Sequence, residues 1–235
     1  MLRRLNDLEG YPIEATNGAI GQVTDFLFDD ESWVVRYLVV QTGEWLSNRS
    51  VLISPIAIGQ PVWSYRTLRV PMTTDQVRNS SDADTNKPVS LQSDLAPARK
   101  DASHLRSANA VRHYHIEAND GGIGHVQGLL LDEDTWAIRY LIVDTSNWWL
   151  GHKVLIAPQW IHGVSWSERT VSINLTREAI KGSPPYDSAG SLQRHEEASL
   201  YNHYQRAGYW ADHVRLQNPE FRTVESATRD TDGHV

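Results

Sequence analysis

The residues best equipped for chemistry in this chain are its ten histidines, two acidic turns and two arginines set inside apolar runs. His113 and His115 are two apart, so on a strand they share a face, as two ligands of one metal ion would. A zinc site takes three or four protein ligands, however, and the matching positions 103 residues earlier are Gly10 and Pro12. His195 and His203 are eight apart, too far along a helix axis to share an ion, and no HExxH pattern occurs. The turns "DDE" (Asp29 to Glu31) and "DED" (Asp132 to Asp134) offer hard oxygen ligands, but they lack the spacing and glycine of a calcium loop and read as solvated hairpin tips. Arg36 and Arg139 could anchor a partner carboxylate. The preferred account is an arginine whose stem packs on a sheet and whose head pairs with an acid such as Asp29 or Asp132. No serine sits in a GxSxG context, no GxxxxGK[ST] loop is present, and "GGIG" at Gly121 lacks the full dinucleotide fingerprint. The residues assign no catalytic group, no metal and no cofactor, and the chain is expected not to be an enzyme.

These residues come in pairs because a long segment occurs twice. "GYPIEATNGAIGQVTDFLFDDESWVVRYLVVQT" from Gly10 and "HYHIEANDGGIGHVQGLLLDEDTWAIRYLIVDT" from His113 align without a gap, Ile13 on Ile116, 103 positions on. The offset pairs Gly21 with Gly124, Trp33 with Trp136, Arg36 with Arg139, Trp45 with Trp148 and Pro55 with Pro158. Two copies of this length are two domains and not a solenoid, which needs shorter and more numerous repeats. The expected division is a first domain over 1–80, a polar linker over 81–110, a second domain over 111–183, a helical segment over 184–212 and a frayed tail over 213–235.

The elements that must position the pairs read as β. "GQVTDFLFD" alternates loosely, with Val23, Phe26 and Phe28 as core candidates. "WVVRYLVVQT" is β-branched and aromatic, a central strand covered on both faces. Asn17-Gly18 and Asp120-Gly121 supply the positive φ of a tight hairpin turn. "SVLISP" and "KVLIAP" are short strands ended by proline, "TLRV" and "TVSI" are final short strands, and a threonine-capped helical turn follows each. Five or six short strands in so small a unit predict a mainly β fold of two small antiparallel barrels. Pairing the copies would enlarge two marginal cores. The net charge of −7 disfavours direct nucleic-acid binding, the lack of cysteine excludes disulfides and thiolate chemistry, and no apolar run reaches a membrane-spanning length. The N-terminus has two arginines with no apolar stretch behind them, so no secretory signal is expected.

The motif "G.IG.V.D.L.D...W.VRYLVV.TG.WL....VLI.P" resembles the PRC-barrel family, in both copies. The resemblance implies small β-barrels that act through protein contacts, with no catalytic residues. The family includes the cytoplasmic domain of the photosynthetic reaction-centre H subunit and the C-terminal domain of a ribosome maturation factor. It therefore implies, as alternatives, a peripheral role on a membrane complex reached through a partner, or a ribosome-associated one. The expected role is that of a non-catalytic interaction or adaptor protein in a bacterial-type cytoplasm. Its partners would be proteins, through a homodimer or pairing of its own barrels. The candidate contacts are Trp45, Trp148 and Trp149 after the central strands, because tryptophan and tyrosine concentrate at interface hot spots. A C-terminal amphipathic helix in "SLQRHEEASLYNHYQRAGYW" adds Tyr204 on its stripe with Leu192, Leu200 and Tyr201, and Tyr209 and Trp210 beyond a helix stop at Gly208. That helix lies either across its own barrel or on a second chain.

Overall fold

The computed structural model describes residues 1–58, 61, 63–78, 104–145 and 152–211. Two compact units make up the chain: Met1–Lys181 with Pro185–Ser191, and Gly182–Pro184 with Leu192–Val235. The first unit is mainly β. Its strands are β1 (Leu2–Arg4), β2 (Pro12–Ala15), β3 (Gly18–Asp29), β4 (Val34–Thr42), β5 (Ser50–Ile53), β6 (Leu68–Arg69), β7 (Leu105–Ser107), β8 (His115–Ala118), β9 (Gly121–Asp132), β10 (Ile138–Asp144), β11 (Lys153–Ile156), β12 (Ile161–Ser165) and β13 (Thr170–Ile173). Short helices α1 (Thr74–Arg78), α2 (Ala108–Val111) and α3 (Arg177–Lys181) follow or precede them. One sheet runs β5-β4-β3-β2-β6 and the other β11-β10-β9-β8-β13-β12.

The two sheets repeat each other rung for rung. Val23 faces Val40, Phe26 faces Leu38 and Phe28 faces Val35 in the first. Val126 faces Val143, Leu129 faces Leu141 and Leu131 faces Ile138 in the second, each 103 positions on. Two bulges in the β3–β4 ladder, and two in the β9–β10 ladder, explain the loose alternation of the sequence. The register skips Thr24 on β3 and Arg36 on β4, and Gln127 and Arg139 at the same places in the second copy. Each extra residue shifts the phase by one, so Val23, Phe26 and Phe28 all point to one core, as do Val35, Leu38 and Val40. The two arginines therefore break their apolar runs at a residue left out of the ladder. Along β4 the burial alternates between buried and half-buried, so the strand is fully covered on one face only.

Gly21 and Gly124 are fixed by a close approach. A Cβ at Gly21 would lie 2.0 Å from the Gln41 carbonyl oxygen, and one at Gly124 1.9 Å from that of Asp144. The threonine caps form as expected, Gln76 N–H donating to Thr73 Oγ1 at 3.3 Å and Ala179 N–H to Thr176 Oγ1 at 3.2 Å.

Three expectations change. Neither sheet closes on itself among the described residues: no ladder joins β5 to β6 or β11 to β12. β6 is only two residues long, too short to bridge a gap. Residues 104–110, assigned to the linker, form β7 and open α2, while the linker's 81–103 lie outside the described residues. Finally, the N-terminal residues form β1, a strand the sequence reading did not anticipate.

β1 and β7 cross over between the copies. β1 pairs with β9 of the second copy, Leu2 on Asp132 and Arg4 on Leu130. β7 pairs with β3 of the first, Leu105 on Asp29 and Ser107 on Leu27. Each copy completes the other's long strand, at matching positions, and edges that would otherwise be open are covered.

The second unit carries α4 (Arg194–His203), whose Gln193 and Glu196 form a capping box. Glu197, Leu200 and Tyr201 are its buried residues. Among the described residues no helix is long and apolar enough to cross a membrane.

Candidate interaction surface

The seam between the two copies takes up one acid from each acidic turn, Asp30 and Glu133. At its centre Val34 bridges Ala137, its own equivalent. Val35 N–H donates to the Trp136 carbonyl at 2.9 Å, and Ile138 N–H to that of Trp33 at 2.7 Å. Trp33 and Trp136 close their hairpin turns, their own N–H groups donating to the Asp29 and Asp132 carbonyls at 2.8 Å, with φ of 54° and 57°, a left-handed conformation uncommon for a bulky side chain. Trp33 stacks on Phe28 at 5.2 Å, and Trp136 meets Trp63 at 6.4 Å. The repeated spacing of these tryptophans was visible in the sequence, but their backbone role was not.

The acidic turns are only partly solvated tips. Asp30 Oδ2 lies 2.8 Å from Arg106 Nε in an ion pair, and its Oδ1 lies 3.0 Å from His104 Nδ1. Its equivalent Glu133 takes Arg3 Nη2 at 2.9 Å and the N-terminal amine at 3.6 Å. The same arginines lie over tryptophan faces, Arg3 on Trp63 at 4.3 Å and Arg106 on Trp166 at 4.5 Å. So the crossed strands are held at both ends of the seam by an acid, an arginine and an indole in matching places. Glu31, Ser32, Asp134 and Thr135 stay exposed.

Arg36 and Arg139 pair as the sequence reading preferred. Arg139 donates from Nε and Nη2 to Asp132 Oδ2 at 3.3 and 3.0 Å, whereas Arg36 Nη2 stays 3.9 Å from Asp29 Oδ2. Burial works against ionisation of both aspartates, but local donors outweigh it. Ser32 and Glu31 N–H groups with the Ser32 hydroxyl hold Asp29 below the usual carboxylate range, and Arg139, the Asp134 N–H and Thr135 do the same for Asp132.

The copies differ where they meet on the axis. Glu9 and Arg112, equivalent positions, form a 2.9 Å ion pair. Burial pushes Glu9 up, against the lowering effect of Arg112, with Asp25 adding to the rise. Asp25 accepts from the Asn109 N–H at 3.0 Å and from the Ser107 hydroxyl at 2.5 Å, tying down the start of α2. Its equivalent is Gly128, and there residues Leu5–Leu8 make only a 3-10 turn.

Of the predicted contacts, Trp45 is half-buried, its indole N–H donating to the Ile20 carbonyl at 2.8 Å and Arg78 lying 5.8 Å from its ring. Trp148 and Trp149 lie outside the described residues. Tyr204 is buried, which pushes its phenol up to about 12. Tyr209 and Trp210 are half-buried and meet Tyr201 edge-on at 6.4 and 5.0 Å. Tyr209 donates to Glu197 Oε1 at 2.9 Å, and burial followed by the Glu197 charge raises it to about 12. The structure thus brings Tyr209 and Trp210 together and leaves Trp45 in a separate unit. His115 faces His125 across the β8–β9 ladder, and the His113 ring stacks on that of His125 at 6.1 Å. Among the described residues no three ligand-type side chains form a metal cluster.

What the sequence reading missed is apolar exposure. Ile56 and Tyr65 are each 71% exposed, and at their second-copy equivalents stand Gln159 and Glu168. The 103-residue offset could have shown that mismatch. Residues 2–80 match the family model of the PRC-barrel domain. No curated protein matches the chain.

Proposed function

We propose, from the match of residues 2–80 to the PRC-barrel domain, a non-catalytic adaptor in which residues 111–183 are a second domain of the same kind. The two copies build one pseudo-symmetric platform, and a protein partner docks on its outer surface from within the cytoplasm. One contrast carries this reading. The equivalent groups Arg3 and Arg106, Glu133 and Asp30, and Trp63 and Trp166 are taken up in the seam that joins the copies, whereas the unshared Ile56 and Tyr65 stand in solvent on the first copy alone. Large apolar side chains exposed at one copy and replaced by polar ones at its equivalent fit a surface kept for binding.

The test compares partners captured from native lysate by the full chain and by the double variant Ile56→Gln, Tyr65→Glu, which imports the polar character of the second copy. Loss of a specific partner with unchanged thermal stability supports docking at these residues. Undiminished recovery of every partner overturns it.

A further inference from the structure

We propose that the C-terminal unit carries a guanidinium-binding aromatic cage, filled by the chain's own Arg194, that opens to accept an arginine side chain from a protein partner. The walls facing the guanidinium are Tyr209 and Trp210, with the buried Tyr201 edge-on to both. Tyr201 and Trp210 meet at 77° and 5.0 Å, Tyr209 and Trp210 at 81° and 5.0 Å, and Tyr201 and Tyr209 at 64° and 6.4 Å. Three rings set steeply to one another in pairs form a corner rather than a stack. Arg194 lies over two of them, its guanidinium carbon 4.5 Å from the Trp210 centroid and 5.2 Å from that of Tyr209. Its Nη1 donates to the Tyr209 hydroxyl at 3.1 Å and pairs with Glu197 Oε2 at 2.9 Å.

This arrangement selects for a guanidinium. The ring faces attract any weakly hydrated cation, but Glu197 and the Tyr209 oxygen add acceptors that only a cation with N–H groups can use. Glu197 is 3% exposed, so its charge needs a cation beside it whichever cation that is. Gly208 makes the corner possible: a Cβ there would lie 2.3 Å from the Trp210 ring. The Arg194 side chain is 57% exposed, so it occupies the corner from the solvent side. An incoming arginine would restore the same bonds, and the chain's net charge of −7 draws cationic partners towards it.

The experiment titrates the full chain with N-acetyl-arginine methylamide by calorimetry. Arg194→Gln should bind the probe about tenfold more tightly than the parent, because the tethered arginine competes at an effective concentration in the millimolar range. Adding Trp210→Ala to Arg194→Gln should abolish that gain, and tetramethylammonium, which stacks but cannot donate, should bind about tenfold more weakly than the arginine probe. Equal affinity of the single and double variants, or preference for tetramethylammonium, overturns the proposal and leaves Arg194 as an internal strut. Should Arg194→Gln prove unfolded, the readout becomes recovery of its thermal transition by the probe but not in the double variant, and failure to recover overturns the proposal equally. None of these outcomes depends on Ile56 or Tyr65.

Discussion

Asp29 and Asp132 occupy the same place in the two copies, yet replacing each by asparagine should give different losses. In Asp132→Asn the missing charge faces Arg139, which donates twice to one oxygen at 3.3 and 3.0 Å. The two side chains are 14% and 18% exposed, so Arg139 is left poorly hydrated with a neutral partner. A charge-assisted bond of this kind contributes about 1.5–3 kcal/mol, and the remaining solvent screening brings the expected loss to about 2 kcal/mol. In Asp29→Asn the amide oxygen can still accept from the Ser32 N–H and hydroxyl, both at 2.8 Å, and Arg36 was only a 3.9 Å neighbour, 44% exposed. That loss should stay near 0.5 kcal/mol. For a domain of this size the difference is a gap of about 3–6 °C in Tm. Thermal denaturation at pH 7 in low and high salt measures it, and only the Asp132→Asn deficit should shrink with salt. Both carboxyls are held below the ordinary value of 3.8, so each contributes stability that is present above that value and lost as pH falls through the lower folded value. The Asp132→Asn deficit should therefore fade below about pH 4. Equal losses in the two variants, or a deficit for Asp132→Asn that ignores both salt and pH, would refute the reasoning.

Other outcomes follow from the same geometry. Gly124→Ala should be destabilised by about 3 kcal/mol or more, while Gly163→Ala, with nothing within 4 Å of its Cβ, should change little; paired urea titrations separate them. Trp45→Phe keeps the ring but removes the indole donor to Ile20, so it should lose about 1 kcal/mol in chemical denaturation. Glu9 titrates above its ordinary 4.5, so its contribution is complete below that value and is lost as pH rises through the folded value, the opposite sign to the two aspartates. Subtracting the stability curve of Glu9→Gln from that of the parent between pH 4 and 7 should reveal this slope. Tyr209 should ionise at about 12, and a spectrophotometric titration of Tyr209→Phe should lose one of the late steps, with Tyr204 keeping the other.

Much of this protein is local in origin and was open to inspection in the chain. The 103-residue repeat, the hairpin glycines, the proline-ended strands and the threonine caps all act within a few residues of themselves, so residue type and spacing specify them. The preference for pairing Arg36 and Arg139 with Asp29 and Asp132 was legible because an arginine is seldom buried without a partner and each acid lies seven residues before its arginine. The crossing of β1 and β7 could not be read this way. Strands three residues long show no periodicity, and their partners lie over a hundred and nearly eighty residues away respectively. Only when the seam forms do Arg3 and Arg106 acquire an acid and an indole each, and only then do the Trp33 and Trp136 carbonyls meet donors from the other copy. The C-terminal corner is similar, since the walls around Arg194 come from a helix and from residues beyond its end. The sequence decided the two sheets because strand pairing between neighbours is written in short-range pattern. Tertiary structure decided how the copies join, because a buried ion pair or a shared carbonyl exists only once distant segments exclude water between them.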